Sequence, residues 1–224
     1  MPILTSTLTP PAICSGTTFN YTPMSNISGT TFSWSRASIT GILPLGTTGT
    51  GNINEVLTNQ TAAPLTVHYI YTLTADGCTN PITFDVAVVV NPSPTLTSGL
   101  TPPAICSGTV FSYQPTSNTA GTSFSWSRAT VAGITPIGPT SGTGNPNEIL
   151  TNTTNATISV TYVFTLTANG CANNQNVVVS VKPTPTVNAI ANKTFCNSTS
   201  VPITTISGPV SGTTFTWTNS NTAI

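Results

Sequence analysis

The chain has 224 residues, of which 4% are charged, and a formal net charge of zero, against roughly 25% charged in an average globular protein. Its four Lys and Arg residues are scattered (Arg36, Arg128, Lys182, Lys193), which excludes the phosphate-neutralising face that nucleic acids need and makes an anionic membrane surface an unsuitable partner. With 38% hydrophobic residues the chain can fill cores, and no apolar run approaches the ~20 residues of a membrane helix, so neither charge-driven disorder nor membrane insertion is expected.

In chain order, the first recurring element runs from Pro10 through Cys14 (PPAICSG) to Phe32 and Trp34 (TTFSWSRA). It returns from Pro102 through Cys106 (PPAICSG) to Phe124 and Trp126 (TSFSWSRA), and begins again at Phe195-Cys196, with Phe215 and Trp217 in TTFTWTN. A near-constant Cys-to-Trp interval every ~90 residues marks a tandem array. The expected organisation is repeat one over 1–92, repeat two over 93–183 and the N-terminal half of a third repeat over 184–224. Met1 falls where a repeat joint would lie, so the chain reads as a piece of a longer protein, cut on a repeat boundary.

Within a repeat the apolar period is two, which predicts strands. Tyr69, Tyr71, Leu73 and Ala75 share one face, as do Tyr162, Phe164, Leu166 and Ala168 in the second copy. Val86, Val88 and Val90, and then Val177, Val179 and Val181, form the closing strands. Asp76-Gly77 and Asn169-Gly170 suit tight hairpin turns with positive φ. About seven short strands per repeat is the number expected of an immunoglobulin-like sandwich. The expected fold is therefore all-β: tandem immunoglobulin-like modules in a linear rod, joined by the stiff Pro-x-Pro segments at 91–97 and 182–188. Phe32, Trp34, Phe124, Trp126, Phe215 and Trp217 are expected in the cores.

Each full repeat holds two cysteines, and the partial one holds Cys196. Pairing inside each repeat, Cys14 with Cys78 and Cys106 with Cys171, would close loops of roughly 65 residues, worth about 4 kcal/mol in the chain-entropy model. Such bridges imply an oxidising compartment.

Chemistry-bearing residues are few. His68 is the only histidine, and Thr161 replaces it in repeat two, so no nucleophile–base pair is supported and enzymatic function is not expected. The four acids do not cluster as a calcium site requires, so no metal or other cofactor is expected. Arg36 and Glu55 recur as Arg128 and Glu148, which suggests an ion pair inside each module, or else a partner-binding hot spot. Asn-x-Ser/Thr triplets, including those at Asn59 and Asn152, are attributed to a composition rich in Asn and Thr.

The Cys-Ser-Gly opening, the Phe-x-Trp strand, the Leu-Thr-Ala-(Asp/Asn)-Gly-Cys hairpin and the Val-rich closing strand with Asn/Lys-Pro-x-Pro resemble PKD-like, immunoglobulin-like repeats of very large surface proteins of the Bacteroidetes, including gliding-motility adhesins of the SprB type. The resemblance implies type IX secretion and display at the cell surface. It also implies a structural role as stalk or filament in adhesion or gliding, with neighbouring repeats and other copies of the chain as partners. The alternative it leaves open is a glycan- or surface-binding adhesin module.

Overall fold

The computed structural model describes residues 1–220 and contains, among them, strands and no helix. Repeat one is built from β1 (Ile13–Cys14), β2 (Thr17–Tyr21), β3 (Thr31–Arg36), β4 (Ile42–Leu43), β5 (Thr47–Thr50), β6 (Ile53–Asn59), β7 (Leu65–Ala75), β8 (Cys78–Thr79) and β9 (Phe84–Asn91). Repeat two follows with β10 (Ile105–Cys106), β11 (Thr109–Ser112), β12 (Ser123–Arg128), β13 (Ile134–Thr135), β14 (Thr140–Thr143), β15 (Asn147–Asn152), β16 (Ile158–Ala168) and β17 (Cys171–Lys182). The nine and eight strands exceed the seven expected because two-residue strands such as β4 and β8 are too short to show a period.

Repeat one has one sheet ordered β1-β9-β7-β3-β5, with β8 on β7, and a second ordered β2-β6-β4. Repeat two has the same plan: β10-β17-β16-β12-β14 and β11-β15-β13. The first strand of each large sheet is parallel to the closing strand: Ile13 aligns with Val90 and Cys14 with Asn91, and Ile105 aligns with Val181 and Cys106 with Lys182. In repeat one the Asn80-Pro81 step separates β8 from β9. Proline cannot donate to a ladder, so the strand is interrupted there. Repeat two has no proline at this point, and β17 runs unbroken.

By backbone contacts the chain divides into two compact units whose borders cross the sequence repeats. The first comprises Met1–Ser98, Pro115–Phe124 and Thr165–Gln175; the second comprises Gly99–Gln114, Ser125–Phe164 and the chain from Asn176 onward. Thus the 165–175 hairpin of repeat two belongs with the residues of repeat one. The covalent and hydrogen-bonded reasons are given below.

The cores follow the alternation. Val67, Tyr69, Tyr71, Leu73 and Ala75 are buried along β7, as are Val86, Val88 and Val90 along β9. Trp34 packs edge-on against Tyr69 with ring centroids 5.5 Å apart, and Trp126 packs likewise against Tyr162 at 5.5 Å. Each indole lies over a glycine that faces it across the sheet: Trp34 is aligned with Gly49, and Trp126 with Gly142. A Cβ on Gly142 would come within 2.8 Å of the Trp126 ring. An aromatic ring covering a cross-strand glycine thus explains Gly49 and Gly142, whereas Gly51 and Gly144, each at φ 67°, serve the turn that follows.

Repeat three departs from expectation. Among the described residues no strand follows Lys182. Phe215 is only partly buried, and Trp217, expected in a core, is 76% exposed. Its counterparts Trp34 and Trp126 are covered by Tyr69 and Tyr162 from β7 and β16. The 224 residues contain no third copy of those strands.

Three substitutions check this packing. Trp126→Ala should cost about 3–5 kcal/mol by cavity formation. Gly142→Ala should cost roughly 1–3 kcal/mol by overpacking. Both are read from denaturant unfolding of the full chain, and Trp217→Ala should leave the midpoint unchanged.

Candidate functional site

Two constellations carry the unusual chemistry of the chain: a buried charge cluster present in both full repeats, and a disulfide that joins them.

The charge cluster forms because cross-strand register brings three side chains together. Arg36 on β3 aligns with Tyr69 on β7, while Glu55 on β6 of the other sheet aligns with Phe19. Arg36 Nε lies 3.1 Å from Glu55 Oε2, and its Nη2 donates to the Leu45 carbonyl at 2.9 Å. Tyr69 donates its hydroxyl to Glu55 Oε2 at 2.5 Å. The guanidinium carbon also sits 5.9 Å from the Tyr69 ring centroid, within cation–π range.

In repeat two Arg128 Nε lies 3.0 Å from Glu148 Oε2, and its Nη2 donates to Glu148 Oε1 at 3.1 Å, a bidentate pair. Thr140 and Tyr162 donate to the same carboxylate at 2.8 and 2.5 Å. Both arginine side chains are fully buried, and Glu148 keeps 12% exposure. The recurring Arg and Glu therefore meet inside their own modules, and the arginines are closed to a docking partner.

Burial acts on Glu148 in the direction of a higher pKa. The hydrogen bonds from Arg128, Tyr162 and Thr140 outweigh it and hold the carboxyl below its ordinary value. The hydrogen bond to Glu148 raises Arg128 further. Burial, and then the hydrogen bond to Glu148, push the Tyr162 hydroxyl upward, and burial and Glu55 do the same for Tyr69.

Sequence reasoning missed a second polar anchor. Asn59 and Asn152 are 6% exposed. Asn152 Nδ2 donates to the Ala156 and Val181 carbonyls at 2.7 and 2.8 Å, and its Oδ1 accepts from Thr154 N and Oγ1 at 2.9 and 2.8 Å. Asn59 repeats the pattern with Ala63, Val90 and Thr61. The Asn-x-Thr triplets at these positions are thus structural, with the amide fully engaged. The signal was present in the sequence as an Asn-x-Thr at the same place in both repeats.

His68 is also not alone. Its Nδ1 lies 2.9 Å from Asp85 Oδ2, with both side chains about half exposed. Thr161 and Asn176 replace the pair in repeat two, so it is private to repeat one. Among the described residues no group of three His, Cys, Asp or Glu side chains is placed to hold a metal ion.

The cysteines require a correction. The bridge joins Cys14 to Cys171, with the Cα atoms 5.6 Å apart and 157 residues between them in sequence, while Cys78, Cys106 and Cys196 are free and exposed. Neither expected pair, Cys14–Cys78 or Cys106–Cys171, is formed. The reason is register. Cys14 lies beside Asn91, one step past the Val90–Leu65 pair at one end of β7, whereas Cys78 aligns with Ala75 at the other end. Ten residues of strand at ~3.3 Å each put those ends roughly 33 Å apart, and a disulfide tolerates about 7 Å between Cα atoms. Repeat two has the same plan, with Cys106 beside Lys182 at the far end of the strand that Cys171 begins.

The bridge is seated by polar contacts within the first unit. Asn91 Nδ2 donates to the Asn169 carbonyl at 2.9 Å, and Asn173 Nδ2 donates to the Pro94 carbonyl at 3.0 Å. The Leu96 amide donates to Gln175 Oε1 at 2.5 Å. Asn169 and Gly170 hold positive φ of 51° and 77°, which turns the chain tightly enough to present Cys171. Cys171 is 2% exposed.

A model described as the PKD-like domain matches residues 11–94 and 103–185. The chain belongs to the PKD-like domain family. No curated protein matches it. Among solved structures it is similar to the paired immunoglobulin domains IG1+IG2 of DIP-gamma, at 9% identity and TM-score 0.37, over 81% of this chain and 97% of that one. It is also similar to the I67–I69 fragment of the titin I-band, at 10% identity and TM-score 0.40, over 82% of this chain and 66% of that one.

The PKD-like charge cluster makes two predictions. Glu148→Gln leaves the buried Arg128 without its counter-ion and should cost about 3–5 kcal/mol in denaturant unfolding. For pH, Glu148 is depressed in the folded state. Its contribution is present above the unfolded carboxylate range near pH 4.3 and is lost as pH falls through the lower folded value. Tyr162 is raised, so its contribution is present below about pH 10 and is lost as pH rises beyond it. Melting temperature should fall in both windows; Tyr162→Phe should remove only its own share of the alkaline decline, and the Tyr69→Phe, Tyr162→Phe chain a larger share.

Proposed function

We propose that this chain is a structural segment of a long extracellular surface protein, its PKD-like repeats set in series as a stalk or filament serving adhesion or gliding. The observation that carries the reading is the Cys14–Cys171 bridge, which ties one repeat covalently to the next and calls for an oxidising compartment. The near-absence of charge and the commitment of Arg36, Arg128, Glu55 and Glu148 to internal pairs support a scaffold over a catalyst. In the two full repeats the aromatic side chains that a sugar would stack on, such as Tyr69, Tyr71, Tyr162 and Phe164, are buried in the cores, which favours the stalk over the glycan-binding alternative for those repeats. The finer assignment, to Bacteroidetes surface adhesins exported by the type IX system, follows the resemblance of the Cys-Ser-Gly, Phe-x-Trp and Asx-Gly-Cys elements. Neighbouring repeats and further copies of the chain are its partners in this reading.

Single-molecule extension tests it. The bridge encloses 157 residues of separation, which at ~3.3–3.6 Å each is roughly 520–570 Å of contour. Pulled from its ends, the oxidised chain should unfold with that length withheld, and reduction should release it. Equal contour lengths with and without reductant would remove the mechanical argument. Saturable binding of the folded chain on a glycan array would favour the adhesin-module alternative.

A further inference from the structure

We infer that Cys106 and the cleft beside it form a vacant seat for the Asx-Gly-Cys hairpin of a complete third repeat, and that a disulfide closes there as it does at Cys14. The chain carries this seat twice, once filled and once empty.

At the filled seat, Cys14 follows the parallel pairing of Ile13 with Val90, and Ser15 N donates to the Asn91 carbonyl at 2.8 Å. Thr17 Oγ1 donates to the Cys14 carbonyl at 2.6 Å. At the empty seat, Ile105 pairs with Val181, Ser107 N donates to the Lys182 carbonyl at 2.8 Å, and Thr109 Oγ1 donates to the Cys106 carbonyl at 2.6 Å. Backbone and turn are the same. Occupancy differs: Cys171 fills the first, whereas Cys106 is exposed on an open cleft of about 580 Å³, lined by Asn155, Lys182, Pro183, Pro185 and Gly212 among others. Lys182 stands where Asn91 donates to the hairpin carbonyl, and its ammonium can donate to the same group.

The far wall of the cleft shows which kind of segment belongs in it. Gly212 has φ 75° and Thr213 Oγ1 donates to the Val210 carbonyl at 2.7 Å; these reproduce Gly121 at φ 70° and Thr122 Oγ1 on the Thr119 carbonyl at 2.6 Å. Repeat three thus supplies the loop that accompanies the hairpin, while the 224 residues hold two Asx-Gly-Cys hairpins, both in the full repeats. Ile203 and Trp217 are exposed, at 96% and 76%, whereas Tyr162 from β16 covers Trp126, the counterpart of Trp217. The occupant is therefore a hairpin of the chain's own type. Its form is already present in Asp76-Gly77-Cys78, where φ is 50° and 74° and the thiol is exposed and free. Closing the bridge joins two thiols in one S–S bond. The two protons and two electrons pass to a small-molecule disulfide, which leaves as two thiols.

The inference rests on the repeat architecture and not on the surface role proposed above. Its failure and the failure of that role are read in different experiments.

The test completes repeat three. One variant carries residues 1–218 followed by a second copy of residues 36–92; another carries residues 1–183 followed by a second copy of residues 1–92. In both, the original Cys78→Ser change makes the peptide of the appended Asp-Gly-Cys cysteine, the one followed here, unique. After refolding in glutathione buffer, and with folding checked by circular dichroism, peptide mapping should join the appended cysteine to Cys106. Reaction of Cys106 with iodoacetamide should fall at least about tenfold from that in the unextended chain. A folded variant in which the appended cysteine pairs inside its own repeat, or in which Cys106 stays alkylatable, overturns the inference. So does a Cys106–Cys106 dimer, since it would mark an exposed thiol without a seat. A dimer of the unextended chain through Cys78 and Cys106 would support it, because the seat would then have captured a second copy's hairpin.

Discussion

Each repeat depends on the contact between its long central strand and the indole of the neighbouring strand. Tyr69 and Tyr162 are fully buried, and each touches three kinds of partner: the Trp edge, a phenylalanine of the opposite sheet, and the Arg–Glu pair. The ring fills the space between the sheets, and the hydroxyl completes the shell of a carboxylate that would otherwise be costly to bury. A phenylalanine there would keep the packing and leave Glu55 or Glu148 with one donor fewer. The cross-strand glycine follows from the same contact, because only a missing Cβ gives the indole room to lie against the sheet. The arrangement also leaves the Trp34 and Trp126 Nε1 groups buried without partners. Aromatic packing is thus favoured here over full hydrogen-bond satisfaction.

The sheets were legible in the sequence because their signal is periodic. Tyr69 to Ala75 and Val86 to Val90 alternate, and a period of two admits one structure once a face is buried. The Arg–Glu pair was legible for a different reason: two charges that recur in a chain almost without charge are set apart from their background. Asn59 and Asn152 lay hidden in a background rich in Asn and Thr, although their burial and bonding are as regular as those of the arginines. His68 was seen as solitary because its partner, Asp85, is on the neighbouring strand 17 residues on, a pairing that only register reveals.

The cysteines show how sequence arithmetic can mislead in a repeat. Two per repeat invites pairing within the repeat, and count alone cannot separate that from pairing of each repeat with the next. Strand length separates them. An eleven-residue β7 carries the two cysteines of repeat one to opposite ends of the sheet, so the in-repeat bridge fails on distance before chemistry enters. The serial bridge has an energetic consequence as well. A separation of 157 residues corresponds to about 5 kcal/mol in the chain-entropy model, more than the ~4 kcal/mol of a 65-residue loop. It also couples repeats that Pro-x-Pro segments alone would join.

The third repeat separates what the chain encodes locally from what it encodes at a distance. Its turns have formed. Thr199 Oγ1 donates to the Cys196 carbonyl at 2.6 Å, as Thr17 and Thr109 do at their cysteines, and the Asn188 amide donates to the Ser207 carbonyl at 2.8 Å, as Thr97 does to Thr116. These bonds close either over three residues or between two segments that are both present. Among the described residues of this repeat no strand is formed; a strand's hydrogen bonds and its apolar face are satisfied by neighbouring strands. In repeats one and two the Phe-x-Trp strand pairs inward with the long tyrosine strand and outward with the glycine strand, and both follow it in sequence. The described residues of repeat three therefore hold the turn chemistry of the fold without its strand pairing, and Trp217, which no tyrosine strand covers, stays in solvent.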